Sequence, residues 1–136
     1  MGNRVSRGVV GVALLLAAGC VSRSAVRNMP LDAGQSATYK APLDKVKGAC
    51  RDALLESGFK PKEEHPADAA RTMLLYSRGL STTSAGGVNA RIVIEDKKDE
   101  CSVWVLIMSR LDNRDTESQD AQAAKDVHAK IEKRLK

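Results

Sequence analysis

The chain has 136 residues, of which 22 are Lys or Arg and 17 are Asp or Glu, for a formal charge of +5. That length supports one domain around one core. The charge excess is mild, no zinc-finger spacing occurs and no aromatic-plus-basic RNA motif is present, so nucleic acid is not an expected partner.

The chain opens with Arg4 and Arg7, followed by an apolar run from Val9 to Ala18 that ends in Ala17-Ala18-Gly19-Cys20. A basic n-region, a short apolar h-region and small residues before a cleavage point are the parts of a secretory signal. The run is too short for a transmembrane helix, which needs about 20 apolar residues. Met1-Gly2-Asn3-Arg4-Val5-Ser6 also fits the loose myristoylation pattern, but a cytosolic myristoylated protein has no need of the apolar run behind it. A plain cleaved secretory signal is the remaining rival.

The Cys directly after the small residues makes the stretch resemble the lipobox of bacterial lipoproteins. The resemblance covers about the first 20 residues. It implies lipidation at Cys20, with Gly19 before the cut and Ala18 at the next small position. Ala17 stands where the family more often has Leu. Val21 follows the Cys, and the absence of Asp there implies the outer membrane, facing the periplasm. The resulting layout is a signal peptide over 1–19, a lipidated Cys and flexible tether over 20–35, and a single α+β domain over 36–136. Without the signal, about 117 residues remain, with 20 basic and 17 acidic side chains, a net +3. That charge suits solubility and contact with anionic headgroups or wall polymers. Several acyl chains hold a protein stably on a bilayer, where one holds it only marginally.

Assigning Cys20 to lipid leaves Cys50 and Cys101 as an even pair in an oxidising compartment. They lie 51 positions apart with no Cys-x-x-Cys. A structural disulfide and two buried thiols are both open readings. A bond closing that loop would stabilise by about 4 kcal/mol on the chain-entropy picture.

Beyond the tether, Ser36 to Ala41 reads as a first strand. Pro42 opens a helix in which Leu43, Val46, Cys50, Ala53 and Leu54 share one face, and Gly58-Phe59 closes it. Phe59 to Glu64 reads as a short polar strand, interrupted at His65-Pro66-Ala67-Asp68. Thr72 to Arg78 is a strand, Gly79 to Asn89 a flexible hairpin loop, and Ala90 to Glu95 a strand with Ile92 and Ile94 opposite Arg91, Val93 and Glu95. Asp96 to Glu100 is a charged turn, and Cys101 to Leu111 is the strongest strand. Thr116 and Gln119 have capping-box spacing before a last helix on Ala124, Val127, Ile131 and Leu135.

The order β-α-β-β-β-β-α predicts an antiparallel sheet of four to five strands with two helices on one face, a two-layer α+β sandwich. This order also resembles a family of uncharacterised small bacterial lipoproteins, through Tyr39-Lys40-Ala41-Pro42 before the first helix and Gly58-Phe59 after it. Asp112-Asn113-Arg114-Asp115 stands where that family often has a Gly-Asp element. The resemblance implies a fold and an anchor, and no activity.

No catalytic constellation emerges. His65 and His128 are the only histidines and read as ordinary side chains. Asp112, Asp115 and Glu117 lack the order and glycine of a calcium loop. Gly86-Gly87 lacks the Lys-Ser/Thr of a phosphate loop. No metal and no cofactor are expected. The feature that stands out is the strand Ser102 to Met108, apolar on both faces. Val103, Val105 and Ile107 form one face, and Trp104, Leu106 and Met108 the other; Leu74 and Tyr76 oppose Met73 and Leu75 in the same way. Two helices cover one face of a sheet. Trp104, Leu106 and Met108 are therefore a candidate interaction patch, unless the tether, the His65 loop or sheet curvature covers them. The expected function is a non-enzymatic, lipid-anchored envelope protein that binds an envelope protein or wall polymer through that face. The alternative is a small enzyme or ligand-binding protein with residues 79–89 as a lid.

Overall fold

In the computed structural model, residues 23–79, 87–109 and 114–136 are described. Cys20, most of the 79–89 loop, Asp112 and the side chains of Asp115 and Glu117 lie outside them. Five strands form one antiparallel sheet: β1 (Gln35–Tyr39), β2 (Lys60–Pro66), β3 (Arg71–Arg78), β4 (Val88–Asp96) and β5 (Cys101–Met108), in spatial order β1-β5-β4-β3-β2. Among the described residues three helices accompany it: α1 (Arg23–Arg27), α2 (Leu43–Glu56) and α3 (Arg114–Leu135). The α+β fold with an antiparallel sheet is the one the element order predicts.

The chain enters the sheet at one edge, β1, and resumes at the opposite edge, β2. The 14 residues of α2 make the crossing. At 1.5 Å per residue the helix is about 21 Å long, against about 19 Å for four strand spacings, so a helix of this length carries the chain from edge to edge. From β2 the chain is a meander that brings β5 back beside β1. The turn between β4 and β5 closes through Lys97 N–H to the Glu100 carbonyl at 2.9 Å, with Lys98 at φ 72°.

α2 ends as its sequence dictates. Gly58 sits at φ 88°, Phe59 N–H donates to the Leu54 carbonyl and Gly58 N–H to the Leu55 carbonyl, both at 3.0 Å. This is a Schellman ending, and it buries Phe59 in the core. Pro42 is the N-cap, one position before the first helical residue. α3 begins at Arg114, so Thr116 lies inside the helix and not at its cap. The anchor of that connection is Asp120, whose carboxylate accepts from the Ser109 N–H at 2.9 Å and the Ser109 hydroxyl at 2.7 Å.

Two apolar clusters flank the sheet. The larger lies under α2 and α3 and contains Val46, Cys50, Ala53 and Leu54 of α2, Val127 and Ile131 of α3, and Leu74, Ile92, Ile94, Val103 and Val105 of the sheet. The smaller lies on the other face: Val26, Met73, Leu75 and Val93 are buried, with Leu31, Ala67, Trp104, Leu106 and Met108 packed against them. In β3, β4 and β5 the residues fall on the faces that their alternation predicts, whereas His65 and Pro66, expected to interrupt the polar strand, belong to β2. The segment read as a flexible tether differs. From Arg23 onward it forms α1 and a turn docked on the second face, because Val26 finds an apolar seat and its backbone finds a donor there.

Candidate functional site

That donor is Arg91. Its position on β4 points it at the second face, between Leu75 of β3 and Leu106 of β5. The side chain is fully buried. Nη1 donates to the carbonyls of Val26 (3.1 Å) and Met29 (2.7 Å), and Nη2 to that of Pro30 (2.5 Å). These carbonyls belong to the C-terminal end of α1 and the turn after it, where backbone acceptors lack intrahelical partners and a cation is favoured. Nε has no partner. Burial pushes the guanidinium pKa down, while the nearby Asp32 carboxylate pushes it up. An arginine stays charged in proteins, so its burial persists only through these acceptors.

Around this clamp the segment is fastened at both ends. Arg27 Nη1 meets Glu63 Oε1 of β2 at 3.0 Å in a partly buried pair. Gly34 sits at φ 104° against β5: a Cβ built there would lie 2.3 Å from the Val105 carbonyl oxygen. Only glycine permits both that backbone angle and that approach. The chain thus passes from the second face around the sheet edge into β1.

Trp104, Leu106 and Met108 do share one face, as predicted. They are partly buried, and the N-terminal segment and Ala67 complete the cluster that they border. The patch is therefore occupied in part by the chain's own residues. Among the described residues the exposed large hydrophobic is Leu55, on α2.

Cys50 and Cys101 come together in the main core as free, buried thiols. The bond held open between them is not formed here. Cys101 Sγ instead lies 3.6 Å from the Ala41 carbonyl as a weak donor. Burial pushes both thiols up in pKa, for Cys50 with a further contribution from Cys101, so neither carries nucleophilic thiolate character.

The two histidines are far apart in role. His65 is at the surface, with Nε2 3.6 Å from Glu63 Oε1. His128 is half-buried and joins α3 to β1. Its Nε2 is 2.7 Å from the Gln35 carbonyl, which can only accept, so Nε2 carries the proton. Nδ1 is then the acceptor for the Tyr39 hydroxyl at 2.6 Å, and the two rings stack with centroids 5.9 Å apart. Burial lowers the His128 pKa and raises that of Tyr39. Both imidazole nitrogens are engaged, which leaves no lone pair for general-base work. The pair is a structural rivet beside an open groove of about 550 Å³ between β1 and α3. A second open groove of about 590 Å³ runs between Asp44 and Asp52 of α2 and the end of α3. Residues 79 and 87–89 line neither groove.

Among the described residues no three His, Cys, Asp or Glu side chains gather as a metal site, and no helix is long and apolar enough to cross a membrane. Val26, Tyr39 and Arg91 are structural residues of this region that no sequence motif marks. The one signal for Arg91 was its place: a cation between apolar neighbours on a face otherwise formed by Val93, Trp104 and Leu106. Searches against family models, curated proteins and solved structures return no match.

Proposed function

We propose that this chain is a lipid-anchored protein of the bacterial cell envelope, held through Cys20 on the periplasmic side of the outer membrane. Its domain is a non-enzymatic binding or structural module. The observation that supports this reading best is the docked segment. Arg23 begins α1, and Val26 is already sealed against the sheet. Three residue steps separate Cys20 from Arg23, at most about 10 Å of extended chain. A domain so fastened stands directly on the bilayer with a fixed face toward it, whereas a loose tether would let it tumble. The apolar second face then serves first to seat the anchor segment. Its margin, at the partly buried Trp104, Leu106 and Met108, is the part left to meet an envelope protein or wall polymer.

The test is the intact mass of the protein from the membrane fraction. Loss of residues 1–19 and added acyl mass on Cys20 are expected, and Cys20→Ser should lose both and leave the membrane. An unacylated wild-type protein in the soluble fraction would overturn the reading.

A further inference from the structure

We propose that the free edge of β1 pairs with β1 of a second copy of this chain, giving a two-fold dimer with one continuous sheet. The two sheet edges are built differently. β2 is guarded in the usual ways: Pro61 and Pro66, five ionisable side chains (Lys60, Lys62, Glu63, Glu64 and His65), and a register shift between Pro61 and Glu63. β1 reads Gln-Ser-Ala-Thr-Tyr, with no proline and no charge, and it pairs with β5 in unbroken register.

The hydrogen-bonding parity fixes which groups face outward. The Lys97–Glu100 bond makes those two residues a hydrogen-bonded pair. Alternation along the ladder then turns Cys101, Val103 and Val105 away from β4 and toward β1. Their partners Tyr39, Ala37 and Gln35 point inward to meet them. Ser36 and Thr38 therefore direct their N–H and C=O groups out of the sheet, and among the described residues no partner meets them.

These groups are self-complementary. A two-fold axis through Ala37, perpendicular to the sheet, places Ser36 opposite the partner's Thr38, and Thr38 opposite the partner's Ser36. Four backbone hydrogen bonds then satisfy every outward group of both strands. The charges follow the same symmetry. α3 is tied through Asp120 to Ser109, at the far end of β5, and from there runs along β1, so Lys125 lies toward Gln35 and Glu132 toward Tyr39. The axis sets Lys125 against the partner's Glu132, with the small Ala129 between them. Among the described residues Glu132 pairs with the exposed Lys136, at 3.7 Å. The two β5 strands would lie about 14 Å apart, three strand spacings, which leaves room for both α3 helices above them. The same axis puts both N-terminal segments on one side. Two lipid anchors then enter one bilayer, a point that rests on the function proposed above.

The test uses the full chain in detergent micelles and in vesicles. Ala37→Cys places a thiol on the axis, and mild oxidation should crosslink it at least tenfold more than Lys62→Cys on the guarded edge. Thr38→Pro removes an outward N–H without touching the β1–β5 ladder, so it should abolish the dimer while the melting temperature stays within a few degrees. Lys125→Glu and Glu132→Lys should each reduce the dimer fraction several-fold, and the two together should restore it. Equal crosslinking of the two cysteine variants, charge swaps that fail to compensate, or Ala37→Cys crosslinking to another protein instead of itself would overturn the proposal. Acyl mass on Cys20 is read separately. A dimer without acylation sinks the membrane reading alone; acylation without a dimer sinks the pairing alone.

Discussion

Arg91 offers the sharpest test of how the N-terminal segment is held. In Arg91→Met the apolar stem is kept and three donated hydrogen bonds vanish, to Val26, Met29 and Pro30. Hydrogen bonds from a charged group are worth about 1.5–3 kcal/mol each, so the gross loss is roughly 4–9 kcal/mol. Taking a guanidinium out of water costs several kcal/mol, and the variant no longer bears that cost. The net loss of docking is about 2–4 kcal/mol. It should fall on the segment and not on the whole domain, because the freed carbonyls can rehydrate once residues 23–33 lift off. Native-state hydrogen exchange reads this directly. The amides of Asn28, Met29 and Ala33 are bonded within the segment. Their exchange should accelerate by about 30- to 700-fold, at tenfold per 1.4 kcal/mol. Core amides of β4 should change far less. Trp104, which borders the seat, should become more open to acrylamide and emit at longer wavelength. Arg91→Lys should fall between, since an ammonium cannot fan its donors over three carbonyls as the guanidinium fork does. Unchanged exchange at Asn28 and Met29 would refute the clamp, as would uniform acceleration across the whole sheet.

Further outcomes follow from other contacts. Gly34→Ala should lower stability by about 3 kcal/mol or more, read as a fall in the urea midpoint, since the new methyl meets the Val105 backbone at a φ that alanine avoids; a neutral result would mean that β1 does not approach β5 so closely. The folded-state pKa of His128 is depressed by burial, so the unfolded chain binds its proton more readily. Stability from this group is present above the unfolded pKa of about 6.5 and is lost as pH falls through that value to the lower folded one. His128→Gln should flatten the urea midpoint between pH 7.5 and 5.5, and an equal slope in both proteins would refute the rivet. Cys50 and Cys101 should resist thiol reagents in the folded protein at pH 8 and react on unfolding; rapid labelling of either would contradict their burial.

Much of the main face was legible because its periods are clean. Ile92 and Ile94, then Val103, Val105 and Ile107, alternate without a break, and Val46, Cys50, Ala53 and Leu54 keep helical spacing, so each buries the side that its pattern names. Gly58-Phe59 was legible for a different reason: a left-handed ending needs glycine, and the next residue needs an apolar seat. The N-terminal segment was not legible. Arg23 to Ala33 holds a five-residue helix with little apolar content, too short to be stable alone. Its order comes from Arg91, more than 60 positions away, and no local rule registers such a contact. The rivet escaped notice in the same way, since Tyr39 and His128 are joined across 89 positions and each looks ordinary beside its own neighbours.

The placement of Arg91 also bears on why the second face tolerates an apolar margin. A sheet face formed by Met73, Leu75, Val93 and Trp104 alone would attract any greasy surface and would collapse against a bilayer without preference. A buried cation at its centre changes that. It demands carbonyl acceptors with defined positions, and a chain end that supplies three of them fits where lipid tails do not. Gly34 then fixes the exit of that chain end at the β5 edge. The face therefore selects one short segment in one orientation. If lipid is attached at Cys20, the load from the membrane runs through residues that are locked to the centre of the sheet, and the whole domain keeps one attitude to the bilayer.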